Sequence, residues 1–135
     1  MSSAGAYMLV ALGGAIGSVA RYAGTLAAAR AWGADYPWGT IAINVGGSFL
    51  ISFFGLWTMG RWGTGGQNLR ILVMVGFCGG FTTFSSFSLQ TLELMQAGRW
   101  QGAAWNIVLS VALCLGAVAA GAWLGTAIGG KPQIG

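Results

Sequence analysis

Apolar residues run almost unbroken along this chain, and the interruptions divide it more clearly than any periodicity does. Four apolar stretches stand between charges and turn residues, at about 8–29, 38–59, 69–90 and 103–128. Each is close to the roughly 20 residues that a helix needs to cross the hydrocarbon core of a bilayer. The pattern predicts an all-α membrane protein with four transmembrane helices in a single integral membrane domain over 1–135. Arg30 to Pro37, Gly60 to Gln67 and Glu93 to Gln101 supply the Gly, Pro and charge that punctuate helices. Trp32, Tyr36, Trp38, Trp62 and Trp100 fall near the ends of the stretches, where interfacial aromatics belong. The first stretch is not read as a cleavable signal peptide, because Met1 to Met8 carries no Lys or Arg and the apolar run is too long.

Composition agrees with a lipid-facing chain. Of its 135 residues 56% are hydrophobic and 6% charged, against roughly 25% charged in an average globular protein. The six basic residues are scattered singly, which does not make a nucleic-acid surface. There is no His, and the only carboxylates are Asp35 and Glu93. A carboxylate-pair mechanism, a Ser-His-Asp triad and a His-based metal site therefore lack raw material. Cys78 and Cys114 lie far apart inside apolar stretches and read as small hydrophobes. The chain reads as a non-enzyme.

Charge also bears on orientation. With an even number of crossings, Arg61, Arg70 and Lys131 share one side of the membrane, and Arg30 and Arg99, joined by Arg21, share the other. That is almost no positive-inside bias. A chain with no preferred orientation can insert both ways, which makes an antiparallel homodimer about a two-fold axis in the membrane plane possible. The 25 glycines include pairs spaced by four at Gly13 and Gly17, Gly76 and Gly80, Gly121 and Gly125, and Gly125 and Gly129. Such pairs make small helix faces that let backbones approach closely.

Polar residues at membrane depth are the candidate chemistry. Gly79 to Ser88 packs five hydroxyls behind two adjacent glycines, which weaken helix continuity. The third helix is therefore expected to break near its middle, where freed carbonyls suit a cation and freed amides an anion. The alternative is that the hydroxyls bond their own helix while the glycines pack. Phe81, Phe84 and Phe87 recur every third residue, along roughly one face. Such a stripe serves packing, or offers ring edges, the positive part of the aromatic quadrupole, to a small anion. Asn44 either donates to an anion or bonds another helix. Arg21, inside the first apolar run, either snorkels or concentrates anions at a wet vestibule. Asn106 and Ser110, four apart, share a face that extends a polar track.

At these residues the chain resembles the Fluc (CrcB-type) fluoride channel family of small bacterial membrane proteins, over essentially its whole length. Gly13 to Tyr22, Pro37 to Phe49 and Gly76 to Ser88 look like three of the family's signatures, in order. The resemblance implies a dual-topology antiparallel homodimer in the bacterial inner membrane, with two pores and a central structural sodium ion. It implies that Phe84 and Phe87 line the pore, that Asn44 donates to fluoride, and that the Gly79 and Thr82 carbonyls hold the sodium. Ser110 looks like the hydroxyl of the family's fourth-span polar track, and Arg21 like its vestibule arginine. Gln90 stands where many relatives carry Glu, and Asn106 where some carry Tyr.

The function expected is passive fluoride export across the plasma membrane, with fluoride, the lipid bilayer and a second copy as partners and no nucleic acid. A small dual-topology multidrug exporter would need a central carboxylate for proton exchange, and none is present. A non-transporting subunit of a membrane complex would explain the glycines and aromatics, but not the Gly-Gly-Phe-Thr-Thr-Phe run together with Asn44 and Arg21.

Overall fold

Ser2 caps the first helix, its hydroxyl oxygen accepting the Gly5 amide at 3.3 Å, and α1 then runs Ser3–Trp32. The computed structural model describes residues 2–130; Lys131, counted above for orientation, lies outside them. Gly33, at φ +80°, ends α1 in a conformation that side chains rarely adopt. After Pro37 the second helix, α2, spans Trp38–Trp62. A 3₁₀ turn at Gly63–Gly66 leads into α3, Gln67–Arg70, which continues as a π-helical stretch, Ile71–Cys78, and then as α4, Gly79–Phe81. Thr82 and Thr83 are extended; α5, Phe84–Gln96, and α6, Trp100–Gly129, follow. Arg30 and Arg61 occupy the last turns of α1 and α2, where a cation complements the helix dipole.

Among the described residues three helical stretches are long and apolar enough to cross a membrane: Ser3–Trp32, Trp38–Gln96 and Trp100–Gly129. The middle one has 59 residues and as one rod would reach about 90 Å, far beyond a bilayer. It does not run straight. Gly63 turns it at φ +51°, and the returning arm packs on α2, where a Cβ added at Gly55 would stand 3.0 Å from Met74 Cε. The aromatic positions match the sequence reading, since Trp32 and Trp62 end helices while Trp38 and Trp100 begin them.

Glycine sets the packing, as the fourfold spacing anticipates. A Cβ on Gly13 would meet the Leu72 carbonyl and Gly76 Cα, and one on Gly17 the Phe77 carbonyl. Gly80 meets α1 at Gly14 in the same way. Here α1 lies backbone to backbone against the π-helical stretch and α4. On the other side Gly121, Gly125 and Gly129 of α6 lie on the carbonyls of Phe49, Phe53 and Trp57 of α2. Close backbone approach of this kind packs helices where lipid offers no hydrophobic drive. Only 11% of the apolar window of α1, and of α6, is buried within the chain. Leu115 and Trp123 stand open, on a surface suited to hydrocarbon rather than water.

The third helix breaks near its middle, as expected, at Thr82–Thr83, two residues beyond the glycines; Gly79 and Gly80 themselves remain helical, and Gly80 is occupied against α1. One expectation needs correction. Helix α5 runs on to Gln96, so Glu93 stands in its last turn and the true connection is only Ala97 to Arg99, with Gly98 at φ +72°.

Candidate functional site

The break arises because its backbone groups find partners other than the next helical turn. Asn44, on α2, pairs with Thr83 at both ends: Nδ2 donates to the Thr83 carbonyl at 3.0 Å, and the Thr83 amide donates to Oδ1 at 2.8 Å. Thr83 in turn caps α5, its hydroxyl oxygen accepting the Ser86 amide at 3.1 Å. The Gly79 and Thr82 carbonyls thereby lose the amides four residues on, which a continuous helix would have given them. The Gly80 carbonyl also loses its helical partner, and Arg21 takes it, Nε donating at 3.0 Å. The Cys78 carbonyl keeps two donors, the Thr82 amide and hydroxyl.

So the break sorts its carbonyls. Those of Gly80 and Thr83 are taken by side chains, while those of Gly79 and Thr82 are left by their amides. These last two are the pair that the resemblance assigns to sodium. Neutral carbonyl oxygens are a hard donor set suited to a hard cation, and a Cβ added at Gly79 would meet nothing within 4 Å, so the position is open. Among the described residues no cluster of His, Cys, Asp or Glu could hold a metal instead.

Beside the break lies a groove of about 250 Å³ lined by Asn44, Ser48, Phe84, Phe87, Ser110, Val111 and Cys114. Four of the five pathway residues expected from the sequence thus meet in one place. The rings of Phe84 and Phe87 stand 5.3 Å apart, tilted by 49°, and Phe84 is 78% exposed. A neighbouring groove continues along Phe84, Phe87, Ser88 and Thr91. Among the described residues no carboxylate, imidazole or amine lines either one. The fifth residue, Arg21, lies outside this groove, on the Gly80 carbonyl.

Phe81 parts from the other two phenylalanines. It stacks on Phe77 at 5.4 Å and faces Gly46 and Gly47. The two extended residues between Phe81 and Phe84 reset the helical phase, so the every-third-residue stripe does not survive as one face. Ser48 and Cys114 line the groove without having been singled out for it. Each is four residues beyond a flagged position, Asn44 and Ser110, and that spacing was the available signal.

A separate cavity of about 290 Å³ opens where α1 meets the Gly33 to Pro37 loop and α5. Both carboxylates, Asp35 and Glu93, line it together with Thr40, Arg99 and Gln90, whose Oε1 is buried without a partner. Burial pushes the Tyr36 phenol up, with Arg99 acting in the opposite direction, and the protonated hydroxyl donates to the Gly102 carbonyl at 3.1 Å.

The family model for CrcB-like protein, Camphor Resistance (CrcB), matches residues 8–122. A fluoride-specific ion channel FluC of Methylocella silvestris is 52% identical over 121 residues, covering 88% of each chain. One of Opitutus terrae is 51% identical over the same length and coverage. One of Coxiella burnetii is 43% identical over 122 residues, covering 90% of this chain and 95% of its own.

Proposed function

The chain belongs to the CrcB-like family, and we propose, from its likeness to fluoride-specific ion channels, that it is a passive fluoride channel of the bacterial plasma membrane. It is a multi-pass integral membrane protein and not an enzyme. The observation that carries the reading is the groove in which an amide, two tilted phenyl rings and a buried hydroxyl meet without any fixed charge. Such a lining suits conduction. Ring edges and single donors attract a small anion, yet hold it loosely enough to leave. The first amides of α5, at the positive end of that helix, add to the attraction.

In this reading the chain crosses the bilayer four times, as α1, as α2, as the arm from α3 through α5, and as α6. Two copies in opposite orientations form the working unit, supported by the balance of basic residues and by the apolar surface each protomer leaves open. A sodium ion held by the Gly79 and Thr82 carbonyls of both copies would supply positive charge where the broken helix ends gather. Asn44 and Arg21 hold the backbone around it, which keeps Phe84 at the groove.

Purified protein in liposomes loaded with fluoride tests this. Efflux should be rapid when charge is balanced by a potassium ionophore, and should need no proton gradient. Efflux no faster than from empty liposomes would remove the reading.

A further inference from the structure

Six hydroxyls in this protein bond the carbonyl four residues back: those of Thr25, Ser52, Thr58, Thr82, Ser88 and Thr91, at 2.6–3.2 Å. Ser110 does not. Its Oγ lies 3.5 Å from the side-chain Oδ1 of Asn106, at the outer limit of a hydrogen bond. The direction of that contact is fixed from the far end of a chain of bonds. Thr91 spends its one proton on the Phe87 carbonyl at 2.7 Å, so towards Asn106 it can only accept. Asn106 must therefore turn Nδ2 to Thr91, at 2.8 Å, and Oδ1 to Ser110. Ser110 can only donate to that oxygen.

We propose that Asn106 is a positioning residue that competes with the transported anion for the Ser110 proton and so sets how tightly the groove holds fluoride at that point. The inference rests on the groove being the fluoride path. At rest the Ser110 proton points to Asn106, and its lone pairs are what remain for the groove that it lines. An anion arriving there must turn the hydroxyl. The proton moves easily, because the bond it leaves is long. The oxygen left behind, however, belongs to a side chain that is 1% exposed, with Ser110 as its hydrogen-bond donor. An unpaired buried acceptor is costly. A hydroxyl bonded to its own helix carbonyl would impose less, since that carbonyl also keeps the backbone amide of the helix. Asn106 thus weakens anion retention at Ser110, and release is the faster for it.

A double-mutant cycle read by fluoride flux in liposomes tests this. Asn106→Leu keeps the size of the side chain and removes the competing oxygen. The fluoride concentration giving half-maximal flux should fall about threefold to tenfold, with a lower maximal rate. In a Ser110→Ala background the same substitution should leave half-saturation unchanged, because no proton remains to contest. Thr91→Val, which frees the Asn106 amide to rotate while keeping side-chain shape, should act in the same direction as Asn106→Leu and serves if that variant does not assemble. An equal effect with and without the Ser110 hydroxyl, or no effect in either, would overturn the proposal and leave Asn106 a packing residue. Absence of fluoride flux in the unsubstituted protein would instead remove the channel reading.

Discussion

The side chain of Asn44 takes the place of a helical turn for Thr83, receiving its amide at 2.8 Å and donating to its carbonyl at 3.0 Å. One amide from a neighbouring helix thus satisfies both backbone groups of a residue at membrane depth, where water is not available to do so. Asn44→Ala would leave the Thr83 amide without its partner and take one donor from the Thr83 carbonyl, which as the N-cap carbonyl keeps the first turn of α5. A donor left unpaired away from water costs about 1–3 kcal/mol, so a clear loss of thermal stability in detergent is expected, with at least a tenfold loss of fluoride flux at matched protein. Ser48→Ala, one turn along the same groove, should leave melting within about 0.5 kcal/mol of the parent. Equal melting of the two variants would mean that the Asn44 pairing does not hold the break.

Glycine-to-alanine changes separate backbone contact from open space. At Gly13 and Gly125 the added methyl would meet backbone atoms of the neighbouring helix. Overpacking of this kind costs about 1–3 kcal/mol or more, so both variants should melt earlier or fail to accumulate. Gly116 meets nothing within 4 Å, and alanine there should gain up to about 1 kcal/mol of helix propensity. Melting curves in one detergent check all three.

Much of this architecture was legible because membrane depth leaves few solutions. Apolar runs of span length had to be helices, the tryptophans marked their ends, and glycines four apart had to face a neighbouring backbone. A break near the middle of the third helix was legible, but not the two residues at which it falls. Gly79 and Gly80 are the weak helix formers locally, but their missing side chains serve the open position and the contact with Gly14, while the break falls where Asn44 can reach Thr83. That pairing joins residues 39 apart in sequence, and no local pattern encodes it. The π-helical stretch was equally hidden. Once two extended residues intervened, the spacing of Phe81 from Phe84 lost its meaning, and Arg21 had no partner to be found in the sequence because its partner is a carbonyl.

Topology gives a further expectation. With basic residues balanced between alternate connections, a tag on the C-terminus should be accessible from both faces of the membrane in comparable amounts. Labelling from one face only would exclude insertion in two orientations, and with it the antiparallel pair.

Proton dependence separates a channel from an exchanger. Among the described residues the groove holds no carboxylate, imidazole or amine, and Asp35 and Glu93 both lie at the other cavity. Fluoride flux should therefore vary less than about twofold between pH 7 and pH 8, and Glu93→Gln should leave that profile unchanged, since no acid in the path has to titrate. A steep pH dependence abolished by Glu93→Gln would indicate coupling to protons.

The account turns on Phe84 and Phe87 lining the path of the ion. Fluoride flux through Phe84→Ile and Phe87→Ile proteins, reconstituted at matched amounts of assembled protein, measures this most directly. Isoleucine stays apolar and of comparable bulk, so packing alone predicts small stability changes. It removes the ring quadrupole, so a lining role predicts a flux reduced by tenfold or more with assembly intact. Phe81→Ile, stacked on Phe77 away from the groove, should retain most of its flux. Unreduced fluoride flux in both the Phe84 and the Phe87 variants would contradict the account.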